Sequence, residues 1–218
     1  MKRILSIRTL LSVFSGAVVV GLIATSAYMV LQRYSATNKP SSPPSTQTII
    51  HSTNTPDEAV PTKNAYNVAP DQPKIIHIPS LNIHSYIQKV GVDQNNQVSV
   101  PNNIHYAGWF VDSKKPGDTG LSIIDGHVSA RYSPAIFKEL SKLKKLDRFS
   151  VEYGDGTSRT FEVVENRELS VAETVSFLFH KDPAIEAQLN LITCGGKLDK
   201  QAKTYDKRVV IVSKRIEM

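Results

Sequence analysis

The stretch Arg148-Phe149-Ser150-Val151-Glu152-Tyr153-Gly154-Asp155-Gly156-Thr157-Ser158-Arg159-Thr160-Phe161-Glu162-Val163-Val164 contains two alternating apolar and polar runs joined by a glycine-rich turn. Strand side chains alternate between the two faces of a sheet, and a short turn with two glycines closes such runs into a hairpin. The same texture of short β-type runs broken by turn residues begins at Lys74. Further candidate strands are Lys74 to Ile78, His84 to Val90, Tyr106 to Val111, Gly120 to Asp125, Gln188 to Thr193 and Lys207 to Val212, with Arg148 to Tyr153 and Arg159 to Val164 forming the hairpin. The pattern predicts a mainly β domain, a barrel or sandwich in preference to alternating βα units. Eight strands is a number that closes into a barrel.

One or two short helices interrupt these strands. One is predicted from Ser133-Pro134, a capping residue followed by proline at the first helical position, with Ile136, Phe137, Leu140 and Leu143 along one face. The other follows Ser170-Val171-Ala172-Glu173, a capping-box pattern, and should run to Asp182-Pro183.

Ahead of this domain, Thr9 to Leu31 is uncharged and mostly apolar, and as a helix it would span about 35 Å, enough for a bilayer core of about 30 Å. Lys2, Arg3 and Arg8 precede it, so the positive-inside rule leaves residues 1–8 in the cytoplasm and sends the remainder outside. The small residues Thr25-Ser26-Ala27 would suit a signal-peptidase site, but the apolar run continues through Leu31, longer than a cleaved signal needs. Residues 9–31 are therefore read as an uncleaved anchor in the cell membrane. Residues 32–73 are rich in Ser, Thr, Asn and Pro and carry no hydrophobic period, which predicts a disordered extracellular tether. Residues 74–218 are read as the folded domain.

That region contains 20 Lys and Arg against 17 Asp and Glu, too mild a balance to imply nucleic acid. Lys138, Lys142, Lys144, Lys145 and Arg148 form a basic cluster that suits either an anionic envelope or a solvated helix face. The histidines lack metal-ligand spacing and a lone cysteine cannot build a thiolate zinc site, so neither a metal nor a cofactor is expected.

The single cysteine, Cys194, closes the run Leu189-Asn190-Leu191-Ile192-Thr193-Cys194, and Arg208 opens the apolar run Val209 to Val212. If these strands pair antiparallel, with Gly195 to Lys207 as the loop, thiol and guanidinium meet at one end of the sheet. The cation would favour thiolate. His127, after Ile123-Ile124-Asp125-Gly126, supplies an acid for a leaving amine. Arg208 and the backbone N–H of Gly195 suit a developing oxyanion.

These residues resemble the sortases, cysteine transpeptidases of Gram-positive-type cell envelopes. Leu191-Ile192-Thr193-Cys194 is similar to the end of their TLxTC motif, Gly126-His127 to their strand-end histidine, and Lys207-Arg208 with its apolar strand to their arginine. Ile78-Pro79-x-Leu81-x-Ile83 extends the likeness, and Gly108-Trp109-Phe110 with Pro116-Gly117-Asp118 points to classes E and F.

The resemblance implies a closed eight-stranded β-barrel, catalytic roles for His127, Cys194 and Arg208, and contributions from Thr193 and Gly195 beside the reacting carbonyl. It implies cleavage of an LPxTG-like sorting signal on a secreted protein through a thioester, then transfer to an amine of a peptidoglycan precursor. The segment from Glu165 to Gln188, with Val175, Phe177, Leu178 and Phe179, would wall the peptide pocket, though Val175, Leu178 and Phe179 also fit an ordinary helical core face. The absence of a second apolar span suggests an anchoring role over pilus polymerisation.

Asn190 stands where threonine is usual. Asp125 stands where a small or apolar residue is usual; it shares a face with His127 and could raise its pKa, or remain a solvated turn carboxylate. The rivals are an envelope cysteine peptidase or amidase, in which cysteine normally precedes histidine, and a tethered binding module with a buried thiol.

Overall fold

The computed structural model describes residues 66–92, 98–130, 133–199, 201 and 204–217. The anchor at residues 9–31 and most of the tether lie outside the described residues. The strands are β1 (Pro73–Ile78), β2 (Ile83–Val90), β3 (Ala107–Phe110), β4 (Gly120–Gly126), β5 (Arg148–Tyr153), β6 (Ser158–Ser170), β7 (Ala187–Asp199) and β8 (Thr204–Ile216), with a helix α1 (Val171–Leu178) between β6 and β7. They close into a barrel in the order β1-β2-β3-β4-β7-β8-β6-β5. The β2–β3 and β4–β7 pairs are parallel. The others, including β7–β8, are antiparallel.

The barrel is filled by the inward residues of every strand. Ile76, Ile78, Ile87, Ile124, Phe149, Val151, Phe161, Leu189, Leu191 and Ile211 pack into one buried cluster, with Phe149 and Phe161 stacked across the β5–β6 hairpin at 5.5 Å. The turn of that hairpin is the predicted one: Gly156 has φ 83, a conformation glycine adopts without Cβ penalty, and Asp155 accepts from the Thr157 amide. A second cluster lies on the other face of β4, β7 and β8, where Ile123, Ile192 and Val210 meet Val98, Phe110 and Leu178.

Three expectations are corrected. The segment after Ser133-Pro134 is not an α-helix; it forms turns and a 3-10 turn at Leu140–Lys142. Its backbone is recruited by neighbours: the N–H of Ile136 goes to Ile104 and that of Phe137 to His127, while Asn166 donates to the carbonyls of Ser141 and Leu143. The apolar spacing was real, since Phe137, Leu140 and Leu143 are buried, but tertiary hydrogen bonds replaced the helical ladder. Secondly, Cys194 and Arg208 are not separated by a loop spanning Gly195 to Lys207. Both strands run on, to Asp199 and from Thr204, with Gly195 still paired to Lys207. Thirdly, the end of the tether packs on the barrel. Tyr66 stacks near Tyr86 and Tyr106 and donates to the Ile87 carbonyl, and Asp71 pairs with Lys115.

The α1 cap is as predicted, with Ser170 and Glu173 forming a reciprocal capping box. The helix ends at Leu178, earlier than Asp182-Pro183, where two buried side chains of β7 take carbonyls at its end and just beyond it. Asn190 donates to Leu178 O at 2.7 Å and Gln188 to His180 O at 3.0 Å, while Gln188 also accepts from the Asp182 amide. Asn190 is therefore a structural clamp that fastens the α1–β7 connection to the barrel.

Candidate active site

Cys194 and Arg208 are direct cross-strand partners in the antiparallel β7–β8 ladder. His127 immediately follows β4, which pairs in parallel with β7 up to Asp125 and Ile192. One hydrogen bond joins the histidine and cysteine ends: Thr193 Oγ1 donates to Gly126 O at 2.7 Å in a fully buried position. This gives the threonine before the cysteine a physical role, since it ties β7 to the end of β4 one residue from each side chain. Gly126 is required on the other side, because a Cβ there would lie 2.5 Å from the Phe137 ring. The backbone of His127 is held as well, its carbonyl accepting from the Phe137 N–H.

All three side chains are almost wholly buried, His127 at 1 % exposure and Cys194 and Arg208 at 2 %. His127 Nε2 lies 2.9 Å from Pro101 O. A carbonyl only accepts, so Nε2 carries the hydrogen of that bond. Arg208 donates through Nη1 to the carbonyls of Tyr205 and Lys207 at 2.9 and 2.8 Å, which holds the guanidinium plane beside the thiol.

The electrostatics differ from the sequence expectation. The thiol pKa is pushed up to about 11; burial is the main cause, the Arg208 guanidinium pulls it down, and Asp125 pushes it up. The cation acts in the predicted direction and is outweighed by loss of water. At neutral pH the resting thiol is therefore protonated.

Asp125 is not a solvated turn carboxylate. It is 1 % exposed, neither carboxyl oxygen has a hydrogen-bond partner among the described residues, and burial holds its pKa well above the usual carboxylate range. The side chain fits because its cross-strand partner is Gly108, where a Cβ would stand 2.3 Å from Oδ1. Its charge pushes the Cys194 thiol pKa up.

A cavity of about 190 Å3 opens beside Cys194, lined by Thr193, Gly195 and Gly196 and by Lys138, Ser141, Glu168 and Tyr205. Val175, Phe177 and Leu178 are absent from its walls. Leu178 is buried in the second apolar cluster, with Phe177 and Phe179 packed against it, so the core-face reading of α1 holds for it. The spacing of Glu168, Lys138 and Tyr205 carries no sequence signal; they meet only because β6, β8 and the β4–β5 connection converge.

Residues 76–216 match the family model described as the sortase domain. Among solved structures the chain is similar to sortase A from Corynebacterium diphtheriae, at 21% identity and a TM-score of 0.51, covering 69% of this chain and 63% of that one. For the lid mutant of that sortase A the figures are 22%, 0.53, 71% and 75%. For sortase C1 from Streptococcus agalactiae they are 22%, 0.50, 66% and 67%. At these identities the likeness speaks to fold. The sequence matches none of the curated proteins. With well over half of its length matched by the family model, around a barrel that pairs its one cysteine with an arginine, the chain belongs to the sortase family and is an enzyme of the cysteine transpeptidase kind.

Proposed function

We propose that this chain is a membrane-anchored sortase that cleaves an LPxTG-like sorting signal between threonine and glycine and joins the new acyl end to an amine of a cell-wall precursor. Cys194 is the nucleophile. The protonated resting thiol gives its proton to His127 as sulfur attacks the Thr–Gly carbonyl, and the carbonyl oxygen is stabilised by Arg208 and the N–H of Gly195. The C–N bond breaks, the glycine amine leaves with the proton from His127, and a thioester remains on Cys194. An acceptor amine then attacks the thioester, passing a proton to His127, and the amide forms as sulfur departs and is reprotonated. Thr193 acts as a positioning residue through its bond to Gly126.

The reading is carried by one observation, the direct pairing of Cys194 with Arg208 beside the strand end that bears His127, within a domain matched to the sortase family. The uncharged run Thr9 to Leu31 supports a membrane anchor with the barrel outside, where secreted substrates and lipid-linked acceptors are found. Gly108-Trp109-Phe110 and Pro116-Gly117-Asp118 support placement near classes E and F.

The test is incubation of the full chain with fluorogenic LPxTG and LAxTG peptides, with and without a glycine or diamino-acid nucleophile, with products identified by mass. The expected outcome is a Cys194-linked thioester and transfer exceeding hydrolysis. Cleavage that persists in Cys194→Ala contradicts the proposal.

A further inference from the structure

The connection between β4 and β5 carries a basic, partly apolar tip that the chemistry at Cys194 does not use. Lys138, Lys142, Lys144, Lys145 and Arg148 are all exposed, against two acids in the same stretch, Glu139 and Asp147. Glu139 pairs with Lys142, and Arg148 shares Glu162 with Lys214. Lys144 and Lys145 form no ion pair among the described residues. Beside them stands Leu146, an exposed large hydrophobic at 64%. Its φ is 76, a conformation that side-chain-bearing residues avoid and that glycine or asparagine usually fills in turns. The turn is nonetheless fixed: the Asp147 N–H goes to Lys144 O at 3.0 Å and the Leu146 N–H to Val163 O at 2.9 Å.

Strand directions put this tip at the catalytic end of the barrel. From β4 through β3, β2 and β1 to β5 the pairings are antiparallel, parallel, antiparallel and antiparallel. β5 therefore starts at the end where β4 finishes beside His127. Ser141 lines both the thiol cavity and a hollow of about 580 Å3 behind the turn, whose walls include Ser80, Lys142 and Lys144. That is room for a lipid headgroup. The acid in its wall, Asp147, is turned back to accept the Lys144 N–H at 2.8 Å.

Resting on the reading of residues 9–31 as an anchor with the barrel outside, we propose that this turn docks on the membrane surface. Leu146 enters the bilayer interface, and Lys142, Lys144 and Lys145 bind anionic phospholipid headgroups. An exposed apolar side chain among cations is the pattern of a segment that lies in a charged interface. A soluble anion would engage the lysines and leave Leu146 in water. An anchor holds the barrel near the bilayer without choosing which end faces it; docking at the tip sets the thiol cavity toward the headgroup layer.

The test reconstitutes the full chain carrying Leu146→Trp into vesicles of phosphatidylcholine, or of equal parts phosphatidylcholine and phosphatidylglycerol, with brominated acyl chains that quench indole fluorescence on contact. The chain's one tryptophan, Trp109, is buried, so the unsubstituted chain supplies the background. Val111→Trp, at an exposed position past the end of β3 and so at the opposite end of the barrel, is the control. Quenching is expected for Leu146→Trp in the anionic vesicles, far less in the neutral ones, and not for Val111→Trp. Adding Lys144→Gln and Lys145→Gln should lower the ratio of docked to undocked chains about 25-fold, about fivefold per lysine. Amide exchange in the unsubstituted chain should show residues 141–148 protected by anionic vesicles alone, which gives the same answer with no substitution at the tip. Equal quenching at positions 146 and 111, equal quenching in both vesicles, or no loss in the lysine variant overturns the docking. So does a response of position 146 to soluble polyphosphate without quenching by lipid, which would assign the lysines to a soluble polyanion. A chain that floats with both vesicles yet is unquenched at position 146 loses the docking alone. A chain that floats with neither overturns the anchor and the docking together.

Discussion

Replacing Asp125 by Asn should make Cys194 more reactive, although residue 125 is not proposed to touch substrate. Asp125 is paired with Ile192, two residues before Cys194. Two residues along a strand is about 6.6 Å and adjacent strands lie about 4.8 Å apart, which separates the two Cα atoms by roughly 8 Å on one face of the sheet, and that length serves as the scale for the charge separation. At an effective dielectric constant of about 20, a unit charge at that distance costs about 2 kcal/mol of thiolate, or about 1.5 pKa units. Burial of both groups limits screening by salt. The isosteric amide removes this charge.

The assay is the rate of iodoacetamide labelling of the full chain from pH 6 to 10, read by mass spectrometry with Cys194→Ala as the blank. Wild type and Asp125→Asn should coincide while the buried carboxyl is protonated. Above its raised pKa the variant should label up to about 30-fold faster, because ionised Asp125 then opposes the thiolate only in the wild type. The pH at which the curves separate reports the carboxyl's own titration. Equal rates at every pH refute the coupling, and slower labelling in the variant would mean that Asp125 assists the thiolate.

The same carboxyl makes stability depend on pH: its folded-state pKa is raised, so its contribution is intact below the unfolded value near 4 and is lost as pH rises through the folded value. The wild-type Tm should accordingly fall between acidic and neutral pH more than that of Asp125→Asn, as thermal melts at several pH values would register. Thr193→Val removes the hydroxyl that donates to the buried Gly126 carbonyl and should cost about 1–3 kcal/mol, measurable by urea unfolding, together with a loss of acylation rate because β7 beside Cys194 is no longer tied to the end of β4 beside His127. Asn190→Ala strips the Leu178 carbonyl of its partner and should speed amide exchange in α1 and residues 179–186 ahead of the rest of the barrel.

Sequence alone carried the strands, because alternation is a local property that survives wherever one face is buried: Phe149, Val151, Phe161 and Val163 all entered the core as the pattern required. It also carried the antiparallel pairing that sets Cys194 opposite Arg208, the place of His127 at the end of β4, and the capping box of α1. The tertiary structure decided what depends on neighbours remote in the chain. Carbonyls of Ile104 and His127 took the N–H groups that a helix after Ser133 would have used, continued pairing through Gly195 and Lys207 turned an expected loop into ladder, and Gly108 made room for a buried Asp125. Burial, not the adjacent guanidinium, set the state of the thiol, since the loss of water around a sulfur is fixed by everything packed on it and is written in no single stretch of residues.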